Sequence, residues 1–331
     1  MGIFKRILSI FFRVGISIIL LVFLFKHVDR ESLFRVIKSA DKGLLLLAFA
    51  IASFNYVLSF LRWLMLLKAV DIVLPLKRVI ISFAGGIFFN LFLPSTIGGD
   101  LMRSIDLAAH TKKPKEVIAT VLLDRLSGYI GLVILSLTAL TLGWKYLQDK
   151  STLYSIAAIT GILIVVLVVI FNKFAYSKIN SLLQTPNAGK VRELIKDLHE
   201  EVHIFRSQGK TITYNLLVSI LIQAISPLVF FIIALSIGIK INIIYFFVFL
   251  PIIGAITLLP ISLGGLGLRD ASTIFFFAKA GLAKDMAFAM SLINFSFILI
   301  YGILGGIIYV LTLHHRRIQY NQSSAFRKTI Q

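Results

Sequence analysis

The sequence has no cysteine among its 331 residues. Disulfides, thiolate nucleophiles and cysteine-held zinc or iron–sulfur centres are therefore excluded. Acidic residues are scarce: 15 Asp and Glu stand against 34 Lys and Arg, a net charge of +19. No G-x-x-x-x-G-K-[ST] loop is present, so no ATP motor of that kind is encoded. No G-x-S-x-G elbow marks a hydrolase, and no run of alternating residues marks the strands of a membrane barrel.

What is there is apolar. Hydrophobic residues make up 58% of the chain and the mean hydropathy is +0.93, against about 45–50% apolar residues in a soluble domain. The excess is gathered in blocks at about 7–25, 44–67, 79–94, 117–143, 152–172, 213–237, 241–260, 271–283 and 285–313. Blocks of about 20 residues are long enough to cross a bilayer core as helix. A lipid-facing span must satisfy its own backbone, so the expected fold is all-α, a polytopic membrane protein. The basic residues sit mainly in short loops between blocks, where they set topology and meet anionic lipid, so nucleic acid is not an expected partner. Lys5, Arg6 and Arg13 precede the run Val14–Phe25, and no small-residue cleavage site precedes His27. This segment reads as an uncleaved first span, with Arg13 snorkelling to the interface.

Segments 79–111 and 241–283 are interrupted by Pro and Gly, and the interruptions match. Residues 93–103 read LPSTIGGDLMR and residues 259–269 read LPISLGGLGLR. Pro94 pairs with Pro260, Gly98 with Gly264, Gly99 with Gly265 and Arg103 with Arg269. Identical positions at one offset, inside the only broken blocks, point to an internal duplication. With the N-terminus cytoplasmic and both broken segments re-entrant, twenty Lys and Arg fall in cytoplasmic stretches and eight in external loops. The loop 26–43, which holds five of the eight, runs against this bias. The expected architecture is six full spans and two broken-helix hairpins. Repeat one covers about 7–143 and repeat two about 152–313, inverted within a single domain of residues 1–331. Inverted repeats with broken helices near the midplane are the build of alternating-access carriers. Residues 190–206 show helical apolar spacing after Pro186, Asn187 and Gly189, and predict an amphipathic helix on the cytoplasmic side. The tail 314–331 is polar.

The paired motifs carry the candidate chemistry. Proline breaks each helix, and Gly98, Gly99, Gly264 and Gly265 permit close approach of backbone or ligand. A helix restarting after each Gly pair would turn its N–H groups into the gap and attract anions. Arg103 and Arg269 follow about one turn on, with the planar fork that suits phosphate. Asp100 and Asp270 are expected as their ionic partners, with a proton-coupling role as the other reading. Asp124 and Arg125 are adjacent on a helix and cannot face each other, so each needs another partner. Asn55 and Gln223 read as interhelical hydrogen-bond formers, and Arg62 beside Trp63 as an interface anchor. His199–Glu200–Glu201–Val202–His203 fits H-E-x-x-H, but no third ligand follows nearby, and the pattern reads as a product of a charged helix. No metal, catalytic residue or cofactor is expected.

At these motifs the sequence resembles the lysylphosphatidylglycerol synthase transmembrane-region family, or flippase-like domain proteins, which includes the membrane half of the multiple peptide resistance factor. The resemblance rests on Asn90, on residues 93–103, on Asp124–Arg125 where relatives often show Glu–Arg, on residues 259–270 where relatives often show Glu at the place of Asp270, and on Leu61–Arg62–Trp63. It covers nearly the whole chain. It implies a lipid-flipping module. The aminoacyl-transfer domain of the fused relatives is not expected here, because the chain ends about 18 residues after the last block. The expectation is a non-enzymatic carrier for the anionic head group of a phospholipid or polyprenyl-phosphate-type lipid. It would lie in the plasma (inner) membrane with both termini cytoplasmic. Arg103, Arg269, the four glycines, Asp100, Asp270, Asn90, Asp124 and Arg125 would form its binding site. The alternative is the membrane subunit of a lipid aminoacyl- or glycosyltransferase. Membrane lipids, a lipid-modifying enzyme and further copies of the chain are the expected partners.

Overall fold

A computed structural model describes residues 30–93, 98–142, 208–257 and 264–329, with isolated positions 15, 18, 22, 24, 154, 157, 158, 161, 205 and 262. Side chains are described at these positions up to residue 312, Arg30 excepted. Among the described residues there are nine α-helices and no strand: α1 Arg30–Lys38, α2 Lys42–Ala69, α3 Leu76–Phe89, α4 Gly98–Ala108, α5 Pro114–Leu142, α6 Gly209–Ser236, α7 Ile244–Thr257, α8 Leu268–Ala278 and α9 Lys284–Thr329. Apart from those isolated positions, the expected spans at 7–25 and 152–172, the helix at 190–206 and the H-E-x-x-H pattern lie outside the described residues. The exception in the helix is Phe205, which is fully buried in the cluster around Trp63.

Among the described residues four helices are long and apolar enough to cross a membrane: Lys42–Ala69, Pro114–Leu142, Gly209–Ser236 and Lys284–Thr312. At 28 or 29 residues each they reach about 42 Å, beyond a hydrocarbon core of about 30 Å. The helices between them are short. α3 and α7 have 14 residues each, and α4 and α8 have 11. They extend only about 21 Å and about 17 Å and cannot cross singly. The order long, short, short, long therefore occurs twice.

Local chemistry sets these boundaries. Asp41 caps α2, its Oδ1 accepting from Leu44 N at 3.0 Å. Pro75 precedes α3 and Pro114 opens α5, where a missing N–H costs nothing. Pro227 and Pro251 are carried inside α6 and α7, as membrane helices tolerate when their neighbours cover the freed carbonyls.

Contacts fix the direction of each element. Lys113 Nζ donates to Val70 O at 3.0 Å, joining the start of α5 to the end of α2. At the other end of the bundle Asp41 N donates to Ser236 O at 2.8 Å, joining the start of α2 to the end of α6. There Ser32 Oγ also donates to Asp285 Oδ2 at 2.5 Å, tying α1 to the start of α9. The pair α3–α4 thus leaves and returns to one end, and α7–α8 to the opposite end. Their tips meet: a Cβ on Gly264 would stand 3.2 Å from Asn90 O and 3.4 Å from Leu91 O.

Two apolar clusters flank this meeting point. One gathers Ile233, Phe246, Phe249, Phe277 and Phe288 around α6 to α9. The other gathers Trp63, Leu66, Leu67, Leu107 and Val117 where α2, α4 and α5 converge. Leu46, Phe54, Leu61, Leu217, Ile303 and Leu311 are exposed, as apolar residues facing lipid would be.

Candidate functional site

The first hairpin is closed by one asparagine and a glycine contact. Asn90 ends α3, and its Oδ1 accepts from Gly99 N at 2.9 Å, capping the start of α4 from across the turn. A Cβ on Gly99 would overlap the Gly86 carbonyl and the Asn90 side chain, and one on Gly98 would strike Leu93. Both glycines already lie in α4, whereas the expectation was a helix restarting after them. They let α3 and α4 pack backbone to backbone, and the helix end is occupied by Asn90 and not left open.

This packing aims Asp100 and Arg103 at α5. Arg103 Nε lies 3.0 Å from Asp100 Oδ1, and Arg103 Nη2 donates to Asp124 Oδ2 at 2.8 Å. Asp124 Oδ1 accepts from Arg62 Nε at 2.6 Å, and Arg62 Nη1 donates to Ser219 Oγ on α6 at 2.8 Å. Arg125 Nε donates to the remaining oxygen, Asp100 Oδ2. Five charges thus alternate in one chain: Arg125, Asp100, Arg103, Asp124, Arg62. The Arg103 guanidinium also lies over the Trp63 ring, 4.6 Å from its centroid. Asp124 and Arg125 do find separate partners. Arg62 is 9% exposed and bonded to two other helices, which corrects its reading as an interface anchor.

The cluster borders a cavity of about 260 Å³ between α2, α3, α4, α5 and α6. Asn90, Asp100, Arg103, Asp124 and Arg125 all line it, with Arg62, Tyr56, Tyr129 and Gln223 beside them. Among the described residues its charged lining is three arginines and two aspartates, one positive charge in excess. Buried charge needs partners to offset lost hydration. Here the carboxylates are shared between guanidiniums, and the lining as a whole favours an anion. Gln223 Nε2 donates to Gly128 O at 2.8 Å, the expected interhelical bond. Asn55 Oδ1 finds no partner among the described residues.

The second motif is built differently. Gly264, Gly265 and Gly267 have φ of +53°, +78° and +77°, so the turn runs through left-handed backbone and α8 starts only at Leu268. Arg269 is in the first turn, whereas Arg103 is midway along α4. Arg269 Nη2 donates to Asp270 Oδ1 at 2.8 Å, and the same oxygen accepts from Ser291 Oγ at 2.5 Å. Gly267 N donates to Asp270 Oδ2 at 3.0 Å. Arg269 lies over the Phe295 ring, 4.9 Å from its centroid. Asp270 is completely buried. Arg103 and Arg269 therefore each pair with the neighbouring aspartate, as expected. The structure does not bring Arg269, Asp270, Gly264 or Gly265 to the cavity that holds Arg103.

A further group went unread in the sequence. Arg78, one of the twenty Lys and Arg assigned to cytoplasmic stretches between the apolar blocks, lies in the first turn of α3, 5% exposed. It donates to Asp106 Oδ1, and Ser82 Oγ donates to Asp106 Oδ2. Tyr309 OH of α9 lies 3.5 Å from the same carboxylate. Among the described residues, no group of three or more His, Asp or Glu is placed to hold a metal ion.

The family model described as the lysylphosphatidylglycerol synthase TM region matches residues 10–306. No curated protein matches the chain.

Proposed function

We propose, because the chain belongs to the lysylphosphatidylglycerol synthase TM region family, that it is a carrier. It moves the anionic head group of a phospholipid or polyprenyl-phosphate-type lipid between the two leaflets of the inner membrane. The observation that carries this reading is the cavity within the helix bundle, whose charged lining among the described residues has one positive charge in excess. A bare phosphate in hydrocarbon costs many kcal/mol, and fixed guanidiniums reduce that barrier. The twice-repeated order of long and short helices, with hairpins from opposite ends meeting tip to tip, supports an inverted repeat of the alternating-access kind. On this reading the termini are cytoplasmic and no bond is made or broken. Asn90, Asp100, Arg103, Asp124 and Arg125 hold the head group in the present state. Arg269 and Asp270 serve the opposite-facing state.

The test is reconstitution. The purified chain in phosphatidylcholine vesicles should move head-group-labelled phosphatidylglycerol inward to a quencher-protected leaflet, and move labelled phosphatidylcholine more slowly. Equal rates for both lipids, or rates equal to empty vesicles, would overturn the reading. The family description names a synthase and so favours a second reading, a membrane subunit of a lipid aminoacyl- or glycosyltransferase. Lipid product formed by the purified chain plus an activated donor would select it.

A further inference from the structure

The charged cavity does not stand alone. A second and larger hollow, about 340 Å³, lies between α4 and α5. It is lined by Leu101, Ile105, Ala108, Ile118, Val121 and Leu122, and its inner wall is formed by Asp100, Arg125 and Ser104. Leu101 and Ile105 are 59% and 56% exposed, so the hollow opens on the side of the bundle. Asp100 and Arg125 line both spaces. Their ion pair is the partition between an apolar groove and a net-positive cavity.

We infer that the α4–α5 groove is the lateral seat of the lipid's acyl chain, and that the Asp100–Arg125 pair is the gate through which its anionic head passes between groove and cavity. This rests on the carrier reading and adds its route. A lipid has an anionic end joined to an apolar end, and here a net-positive space adjoins an apolar one across a single ion pair. An incoming phosphate exchanges with Asp100 for Arg125, which stays satisfied throughout. Asp100 keeps Arg103, 3.0 Å away, when Arg125 turns to the phosphate. No charge is left unpaired during the exchange, so the barrier stays low. The occupant is an acyl chain of an anionic membrane lipid and not a protein helix, because the groove ends on charged groups that such a helix would leave buried against apolar side chains.

The chain's lack of cysteine makes the test direct. Two variants of the full chain are made, Ile105→Cys at the groove rim and Leu217→Cys on the exposed face of α6. Each is labelled with a small fluorophore and reconstituted in phosphatidylcholine. Phosphatidylglycerol or phosphatidylcholine brominated on the acyl chains is then added at equal mole fraction. At Ile105→Cys the anionic lipid should quench about fivefold more effectively, the preference that one net basic charge gives. At Leu217→Cys the two lipids should quench alike. The preference at Ile105→Cys should vanish when Arg125→Gln is added, with quenching by brominated phosphatidylcholine unchanged as a check that the helices remain folded. Equal quenching by both lipids at Ile105→Cys overturns the inference, whatever the transport assay gives. Selective quenching with no lipid movement in vesicles keeps the seat and removes the carrier reading beneath it.

Discussion

Asp124→Asn is the substitution with the largest expected effect on the cluster. Asp124 sits on α5 and accepts from Arg62 of α2 at 2.6 Å and from Arg103 of α4 at 2.8 Å. It is 3% exposed. An asparagine keeps the shape but offers one acceptor in place of two, and points an N–H at a guanidinium. The excess charge of the lining rises from one to two. Two physical estimates compete. Neutral interhelical hydrogen bonds in membrane proteins average about 0.6 kcal/mol each, which would make the substitution mild. Removing one partner of a buried ion pair costs about 3–5 kcal/mol, because the other charge stays buried. The geometry selects the second, since both arginines are almost fully enclosed. The unfolding free energy of the purified protein, from denaturant titration in micelles, should therefore fall by about 3 kcal/mol or more. Arg62→Ala should then cost less in the Asp124→Asn background than alone, since the partner is already gone. A loss below about 1 kcal/mol, or strict additivity of the two substitutions, would refute the shared-carboxylate account.

Other outcomes follow from the same contacts. Arg103→Ala leaves Asp100 with Arg125 and Asp124 with Arg62, so stability should fall by only about 1–2 kcal/mol, while anionic lipid movement drops at least about tenfold. Gly99→Ala drives a Cβ into the Gly86 carbonyl and Asn90; it should cost about 1–3 kcal/mol and lower activity with it, read by thermal unfolding beside the vesicle assay. Gly264→Ala adds a left-handed Cβ at φ +53°, close to Asn90 O, and should cost about 1–2 kcal/mol.

Much of the fold was legible. Apolar blocks at 44–67, 117–143, 213–237 and 285–313 fall on four long helices, because a lipid-facing helix writes its length into composition. The glycine interruptions fall where short helices begin, Gly98 opening α4 and Gly264, Gly265 and Gly267 preceding α8, because close packing and left-handed backbone both need glycine. The pairings were less legible. Asp100 and Asp270 lie beside their arginines in sequence, so local spacing suggested the contacts. Arg62 finds Asp124 sixty-two residues away, and no local pattern reports which helix faces which. A usable signal was present: Arg62 lies within an apolar block, and a charge inside a span is a functional candidate by default. Arg78 was hidden by the adjacent Lys77, since a basic pair at the edge of a block looks like a loop. The motif alignment paired Arg103 with Arg269, yet α4 starts at Gly98 and α8 at Leu268. Identity of letters did not carry over to helical register, because three left-handed glycines lengthen the second turn.

The central claim is that the arginine-lined cavity receives a lipid phosphate. The most direct measurement is the structure of the protein in nanodiscs of phosphatidylglycerol, with head-group density sought between α2, α4 and α5. The account predicts a phosphate within about 3 Å of the Arg103 or Arg125 guanidinium nitrogens, with Asp100 turned from one of them. A cavity holding only water, with all five charges paired as they stand now and lipid confined to the outer surface, would contradict it.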